Sequence, residues 1–230
     1  MTDMLPSLEA LAAKVTDGAM IALPPDYSGC ANALWRAVIR RGVKDLHLVG
    51  VPVFGYHGDL LIGAGCVAVA ETSAVTLGEH GLAPRFTAAV KAGSITVKDA
   101  TCPAIHAGLQ AAERGAPFST MRGLIGSDIL ARRDDWKVID NPFGDNDPVV
   151  AIPALTPDLA VFHAAKADRL GNVWIGVRRE LMVMAHAARD TLVTVEEIVD
   201  GDLTADPLTA AGTIPGLYVT AVAEAREGSG

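Results

Sequence analysis

Short apolar runs alternate with stretches of helical periodicity along most of the chain, a pattern typical of parallel βαβ units. The predicted strands are Met20–Leu23, Leu46–Val51, Cys66–Ala70, Ser94–Val97, Trp136–Ile139, Val149–Ile152, Leu159–His163, Thr191–Val195 and Val219–Ala221. The predicted helices are Asn32–Arg41, Pro84–Ala92, Ala104–Glu113 and Arg178–Ala188. We therefore predict one α/β domain over residues 1–230, with three layers and a mostly parallel sheet.

Three segments lack a clear period. Residues 1–15 look like the start of an amphipathic helix. The Gly-rich stretch from Phe54 to Gly65 predicts a connection, and residues 122–148 predict loops around one short strand.

Composition and charge disfavour several classes of partner and site. The net charge of −8 disfavours a nucleic acid or an anionic membrane as partner. No stretch reaches the roughly 18 apolar residues of a membrane span. Three cysteines without metal-type spacing indicate free thiols in a reducing cytoplasm, and six histidines without ligand spacing predict no metal site.

The segment from Asp17 to Gly29 predicts a strand, a rigid loop and a helix start capped near Ser28 or Asn32. Backbone N–H groups at a helix start can hold an anion or a developing oxyanion. Pro24 and Pro25 remove two such donors. A purely structural corner is an equal alternative.

A second candidate region follows the strand at Cys66–Ala70 and runs from Glu71-Thr72-Ser73 to Gly78-Glu79-His80-Gly81. Its turn places the Glu79 carboxylate directly after a strand region. One interpretation is that Glu79 caps the helix that follows.

A third region carries Arg122-Gly123-Leu124-Ile125-Gly126-Ser127-Asp128, in which Arg122 offers a planar fork for a carboxylate or phosphate. The alternative for Arg122 is an internal salt bridge with Asp128 or a neighbour. Cys102 is a weaker nucleophile candidate, and we expect a buried, inert thiol there.

The last region is residues 167–199, where a polar turn at Asp168–Asn172 precedes a helix and an apolar run that ends in Glu196–Glu197. Open α/β sheets build sites at strand ends. We expect these polar residues to organise strand ends and subunit contacts, with catalysis by the Glu pair as the minor alternative.

Taken in order, these motifs resemble the α subunits of class I coenzyme A transferases of the glutaconate CoA-transferase type. The strongest parts are Leu77–Phe86, Arg122–Asp128 and Ala167–Val199. The resemblance implies a CoA-transferase-like fold and transfer of CoA from an acyl-CoA to a small carboxylic acid through a glutamyl-CoA intermediate. It implies no cofactor, because coenzyme A is a substrate.

The family's nucleophilic glutamate lies in a Ser-Glu-Asn-Gly context on the β subunit, which this sequence lacks. The resemblance therefore implies a β-subunit partner and inactivity of this chain alone, with Glu79 as the pseudo-equivalent glutamate. The substrate or CoA contacts it implies are Asp26, Ser28, Gly29, Thr72, Ser73, Arg122, Gly123 and Ser127. Two alternatives stay open: a CoA-thioester hydrolase or ring-opening enzyme on this scaffold, and a non-catalytic chain that binds an acyl-CoA or a sugar phosphate.

Overall fold

A computed structural model describes residues 2–230 and contains thirteen strands and six α-helices within that range. The strands are β1 (Asp3–Leu5), β2 (Met20–Leu23), β3 (Leu46–Gly50), β4 (Val67–Thr72), β5 (Thr96–Asp99), β6 (Phe118–Met121), β7 (Lys137–Asp140), β8 (Pro148–Pro153), β9 (Leu159–Asp168), β10 (Val173–Trp174), β11 (Asp190–Val199), β12 (Thr213–Ile214) and β13 (Ala221–Glu224). The helices are α1 (Leu8–Ala12), α2 (Asn32–Arg41), α3 (Tyr56–Gly63), α4 (Pro84–Ala92), α5 (Cys102–Glu113) and α6 (Arg179–Ala187).

Eight strands form one parallel sheet in the order β1-β13-β11-β9-β2-β3-β4-β5, and the short β10 and β12 join it as antiparallel additions beside β9. Both faces of this sheet are apolar, as parallel sheets require. In β2, for example, Ile21 and Leu23 belong to one buried cluster and Ala22 belongs to the other. The predicted α/β class with a mostly parallel sheet is confirmed.

Different helices cover the two faces of the sheet. Residues of α1, α2 and α3 pack into the cluster that contains Ile21, whereas residues of α5 and α6 pack into the cluster that contains Ala22. The predicted bounds of α2 are confirmed. The helix ends where Gly42 adopts the left-handed conformation (φ 72°). Among residues 2–230, none of the helices combines the length and the apolar character that crossing a bilayer requires.

A small antiparallel sheet, β6-β8-β7, lies on the α5 and α6 side, since Val150 and Ile152 belong to that cluster. The predicted loops around one short strand in residues 122–148 are confirmed by β7, whereas β6, which precedes that segment and pairs with β8, was not predicted. Phe118 at the start of β6 is half exposed, so this edge strand shows no buried apolar run in the sequence.

The Gly-rich stretch from Phe54 to Gly65 was wrongly predicted as a connection, because most of it is α3. Its Gly58 serves close packing, since an added Cβ would lie 2.1 Å from Cδ2 of Phe54. Residues 1–15 also differ from the prediction: β1 comes first, and Ser7 then caps α1 by accepting a hydrogen bond from the Ala10 N–H at 3.2 Å.

Strands β9 and β11 run longer than predicted, so Glu196 and Glu197 lie inside β11 rather than at its end. The two strands stay in parallel register as far as Val199, and Glu197 is paired with Lys166 across the ladder. The turn that follows β9 is organised by Asp168, as expected. Its carboxylate accepts hydrogen bonds from the backbone N–H groups of Leu170, Asn172 and Leu203.

Candidate functional site

The strand order reverses between β2 and β9, which are parallel neighbours in the sheet. From β2 the chain continues through α2 to β3, whereas from β9 it continues through α6 to β11 on the other side. Because α2 and α6 lie on opposite faces of the sheet, a crevice opens beyond the carboxyl ends of β2 and β9. Open α/β sheets bind their ligands at such a switch point.

A cavity of about 530 Å³ lies at this point, and we call it the switch-point cavity. The lining residues with polar or aromatic groups are Ser28, Gly29, His163, Trp174, Arg178, Glu196 and Ser229. Ser28 and Gly29, which the sequence predicted as ligand contacts, are thus brought together here. Neither Arg122 nor Ser127 lines this cavity.

Gly29 brings the loop after β2 against β9. Its φ is +81°, its carbonyl accepts a 2.7 Å hydrogen bond from the His163 N–H, and an added Cβ would lie 2.1 Å from the His163 carbonyl oxygen. The predicted helix cap at Ser28 or Asn32 is wrong. The buried Ser28 hydroxyl bonds to Glu180, and the Asn32 amide donates to the Ser229 carbonyl.

The backbone donors expected at this corner are partly in use. The Ser28 N–H donates to the Pro25 carbonyl, and the Ala33 N–H donates to the Gly228 carbonyl. Pro24 and Pro25 contribute none. This loop therefore offers fewer N–H groups to an oxyanion than an open glycine-rich loop would.

His163 and Glu196 form a fixed pair on the cavity wall. His163 Nε2 lies 2.8 Å from Glu196 Oε1, and Nδ1 lies 2.9 Å from Thr194 Oγ1. Burial lowers the pKa of His163, against the opposing effect of Glu196. Although desolvation raises it, hydrogen bonds from the Glu227 N–H and from His163 bring the pKa of Glu196 below its ordinary value.

Both ring nitrogens of His163 are occupied, so the imidazole positions Glu196 and is not a free base in this arrangement. From the sequence, catalysis by the pair Glu196–Glu197 was only the minor alternative, and His163 was not predicted to contact it. The pair depends on the parallel register of β9 with β11, which sets His163 opposite Thr194 and which the sequence does not reveal.

Arg178 supplies the cavity with a positive charge. Its guanidinium lies 5.5 Å from the centre of the Tyr27 ring, and within residues 2–230 it forms no salt bridge with a carboxylate. Glu196 is held by His163 and the Glu227 N–H, so within this cavity the Arg178 guanidinium is the group that an anionic ligand would contact, and Trp174, Ile175 and Val177 are walls for an apolar body.

Asp26 lines a second cavity of about 330 Å³, together with Tyr27, Phe54 and Leu77. Its Oδ2 accepts a 2.9 Å hydrogen bond from the Tyr56 N–H, which fixes the loop after β2 to the start of α3. Asp26 and Ser28 are therefore on the same loop but line different cavities.

Thr72 and Ser73 lie at the carboxyl end of β4. The two hydroxyl groups both donate to the Pro52 carbonyl, at 3.2 Å and 2.9 Å. Ser73 Oγ also lies 3.1 Å from Cys102 Sγ, and this thiol is exposed, so the expectation of a buried Cys102 is wrong. The N-terminal position of Cys102 in α5, next to Pro103, keeps it at the surface.

Arg122, Gly123 and Ser127 lie together in the segment after β6, apart from both cavities. Arg122 forms an exposed two-pronged ion pair with Asp147, so the internal salt bridge given as the alternative is present, with Asp147 rather than Asp128 as the partner. The hydrogen bond holds the pKa of Asp147 at about 2. Ser127 donates to the Leu124 carbonyl at 2.8 Å and closes a local turn.

Glu79 is on the surface, in a single 3₁₀ turn between β4 and α4. Its side chain is 90% exposed, and its contact with a charged group is His80 Nε2 at 4.0 Å. It does not cap α4, whose N-cap is Ala83 without a side-chain hydrogen bond. Within residues 2–230, Glu79 therefore has no preorganised donors around it.

One further cluster of side chains was not predicted, because the spacing of its residues in the sequence does not indicate it. Asp26, Cys30 and His57 come together between the loop after β2 and α3, with one potential ligand atom of each within 4.8 Å of the others.

The chain is similar to known proteins over most of its length. A family model described as coenzyme A transferase matches residues 6–225. The 3-oxoadipate CoA-transferase of Pseudomonas knackmussii has an A subunit that is 36% identical over 208 residues, which are 87% of this chain and 72% of that relative. The IpdA subunit of a cholesterol ring-cleaving hydrolase from Rhodococcus jostii is 33% identical over 180 residues, which are 73% of this chain and 59% of that relative.

Among solved structures, glutaconate coenzyme A-transferase from Acidaminococcus fermentans superimposes with a TM-score of 0.89 at 29% identity. The match covers 99% of this chain and 77% of that one. The resemblance that the motifs indicated is thereby confirmed along the length of the chain, and the protein belongs to the coenzyme A transferase family.

Proposed function

We propose that this chain is the α-type subunit of a heteromeric CoA-transferase, which moves CoA from an acyl-CoA to a small carboxylic acid. The match of residues 6–225 to the family, with a relative named as an A subunit, carries this proposal. A dicarboxylic acid is the first acceptor to test, because the Pseudomonas and Acidaminococcus relatives are named for 3-oxoadipate and glutaconate.

The reaction requires a glutamate nucleophile. Its carboxylate attacks the thioester carbonyl through a tetrahedral oxyanion and releases CoA thiolate, leaving an acyl-glutamyl anhydride. The thiolate then attacks the glutamyl carbonyl, frees the first acid and forms an enzyme–CoA thioester. The second acid takes the CoA by the same two steps in reverse order.

We place this nucleophile on a β-type partner. Glu79 supports that assignment, because its carboxylate is exposed and no donor of this chain surrounds it. The absence of a Ser-Glu-Asn-Gly sequence in the 230 residues agrees with it. A partner that covers this surface would have to supply the water-excluded setting that acyl transfer needs.

In this proposal the switch-point cavity receives the acid. Arg178 is the free cation that a carboxylate needs, and Trp174 and Val177 contact its apolar body. Ser28 and Gly29 hold the cavity wall, whereas Asp26, Thr72 and Ser73 remain proposed contacts for CoA. Arg122, Gly123 and Ser127 remain proposed contacts from the small sheet, where Arg122 would exchange Asp147 for a ligand anion.

The proposal is tested by co-purifying this chain with a β-type chain of the family and measuring CoA exchange between acetyl-CoA and a panel of dicarboxylates. We expect exchange from the complex and none from either chain alone. In the complex, Glu79→Gln should retain most of the activity, because the partner's glutamate attacks. Full exchange by this chain alone, or its loss only in Glu79→Gln, would contradict the split site.

A second candidate is a CoA-thioester hydrolase or ring-opening enzyme. The loop after β2 favours it, because the N–H groups of Ser28 and Ala33 are already hydrogen-bonded and the prolines have none to offer an oxyanion. The hydrolase relative from Rhodococcus also favours it. Hydroxylamine separates the two, since only a transferase accumulates a glutamyl thioester that it can trap. Labelled glutamate identifies transfer, and turnover without label identifies water as the acceptor.

Three further expectations complete the proposal. A chain that binds acyl-CoA with every β-type partner present, yet neither transfers nor hydrolyses it, would be a binding subunit. Cys30, Cys66 and Cys102 are all free thiols, which supports the cytoplasm as the proposed location. One domain over residues 1–230 also remains our proposal.

A further inference from the structure

His57 is a buried side chain whose polar atoms have no partner. It lies in the first turn of α3, it is 0% exposed, and neither Nδ1 nor Nε2 makes a hydrogen bond. A buried polar group without a partner destabilises the fold unless a ligand satisfies it. Burial lowers its pKa to about 4, so the ring is neutral at pH 7, and a neutral imidazole is the form that binds metals.

Two further ligand types face this ring. His57 Nε2 lies 3.8 Å from Asp26 Oδ1, and Cys30 Sγ lies 3.8 Å from the same oxygen. One potential ligand atom of each residue lies within 4.8 Å of the other two. At 3.8 Å the nitrogen and oxygen are too far apart for a hydrogen bond, yet the gap is close to that between two ligands of one ion.

We propose that Asp26, Cys30 and His57 bind one divalent cation of the zinc type. Zinc binds thiolate, imidazole and carboxylate at about 2.0–2.3 Å, and a tetrahedral arrangement puts those ligand atoms roughly 3.3–3.8 Å apart. The Asp26 oxygen already lies near these separations from both partners.

Charge favours a divalent ion in this place. A thiolate, a carboxylate and a neutral imidazole carry two negative charges, which one divalent cation balances. Burial and the neighbouring Asp26 raise the pKa of the Cys30 thiol, so the thiol keeps its proton without a cation. Binding forms the sulfur–metal bond and releases that proton to solvent.

The position of the cluster gives the ion a structural task. Asp26 and Cys30 belong to the loop after β2, whereas His57 belongs to α3. An ion held by all three would join this loop, which also carries Ser28 and Gly29, to the helix. The Asp26 side chain is 39% exposed and lines the second cavity, so the ion can enter from there.

Binding is tested on the purified 230-residue chain after removal of metals with a chelator, and no enzyme assay is involved. Cobalt(II) is the probe, because thiolate ligation gives a near-ultraviolet charge-transfer band and tetrahedral ligation gives intense visible bands. We expect both to saturate at one equivalent, one proton to appear in weak buffer, and zinc to abolish the spectrum. No charge-transfer band in the folded chain would overturn the proposal.

Three variants assign the ligands. Cys30→Ser should abolish the charge-transfer band, and His57→Gln and Asp26→Asn should each weaken cobalt binding by more than about 100-fold, which exceeds the loss of a partner outside the coordination sphere. Asp26→Asn keeps an oxygen for the Tyr56 N–H, so it reports on ligation if the other variants fold poorly. Cys66→Ser and Cys102→Ser are the controls and should bind as the wild type does. Equal loss in a control, or full binding by Asp26→Asn and His57→Gln, would overturn the site.

Discussion

Gly29 shows how one residue sets the wall of the switch-point cavity. Its left-handed backbone lets the loop after β2 reach the backbone of β9, where Gly29 and His163 share a 2.7 Å hydrogen bond. A side chain is excluded twice, by the positive φ and by the His163 carbonyl that an added Cβ would meet at 2.1 Å. This position is therefore needed for the shape of the site as well as for the turn.

Gly29→Ala and Gly18→Ala form a matched pair that separates these two effects. Both glycines have a positive φ, but an added Cβ at Gly18 meets nothing within 4 Å. We expect Gly18→Ala to lower the free energy of unfolding by about 1–2 kcal/mol. Gly29→Ala should lower it by at least about 3 kcal/mol, because the loop must also move away from β9. Urea denaturation measures both, and equal losses would show that the contact with His163 is unimportant.

Arg133 joins elements that are distant in the sequence. It donates to Glu71 of β4 at 2.7 Å, to Asp135 at 2.8 Å and to the carbonyl of Asp99 in β5 at 3.1 Å. Its guanidinium also lies 4.1 Å from the centre of the Trp136 ring. These contacts fasten the segment before β7 to the edge of the main sheet.

Asp135→Asn tests this network through pH. The hydrogen bond from Arg133 is the main reason why the pKa of Asp135 falls from 3.8 to about 2. A depressed carboxyl pKa stabilises the folded state above pH 3.8, and that contribution is lost as the pH falls from 3.8 to about 2. Full linkage would be about 2 kcal/mol, and screening at a side chain that is about one third exposed lowers it to about 1 kcal/mol.

Urea denaturation at pH 7, 5 and 3 measures the difference between the wild type and Asp135→Asn. We expect about 1 kcal/mol at pH 7 and 5 and a smaller difference at pH 3. Asp134→Asn is the control, because that neighbouring side chain is exposed. A difference that stays constant over this range would assign the effect to something other than the Asp135 charge.

Local rules account for which elements the sequence predicts. The helix α2 is marked by its apolar spacing and by Gly42, and α4 is marked by Pro84 at its first turn, so both have the predicted bounds. Strand β6 was missed because its partner β8 lies about 30 residues further on and its outer side chains are exposed. The helix α3 was missed because glycine there serves packing against Phe54.

In the site too, some features follow from the local sequence and others depend on tertiary packing. The family resemblance implied ligand contacts at Ser28 and Gly29, and both line the switch-point cavity, where open sheets bind ligands. Their contact with a ligand stays a prediction. The pairing of His163 with Glu196 depends on the register of β9 with β11, and the cluster of Asp26, Cys30 and His57 depends on the approach of α3 to the loop. Neither arrangement has a spacing that reveals it in the sequence, since tertiary packing creates both.

At the scale of the whole molecule, the net charge of −8 opposes an anionic substrate. Acyl-CoA and carboxylates are anions, so a binding site on this chain needs local positive charge that acts within a Debye length of about 8–10 Å. Arg178 provides it at the switch-point cavity, where no carboxylate among residues 2–230 forms a salt bridge with it. The pairing of Arg169 with Asp200, by contrast, leaves that exposed arginine without a free charge.

Arg178→Gln and Arg169→Gln therefore test the proposed acid site. In the complex with a β-type partner, we expect Arg178→Gln to weaken carboxylate binding by about 10- to 100-fold, the value of one charge-assisted hydrogen bond. Arg169→Gln should change it little, although both variants alter the net charge equally. Calorimetry at low and high salt adds a second criterion, because the wild type should lose more affinity with salt than Arg178→Gln does. Equal effects of the two variants would mean that the acid is recognised elsewhere, and the cavity would then need another ligand to explain its unpaired cation.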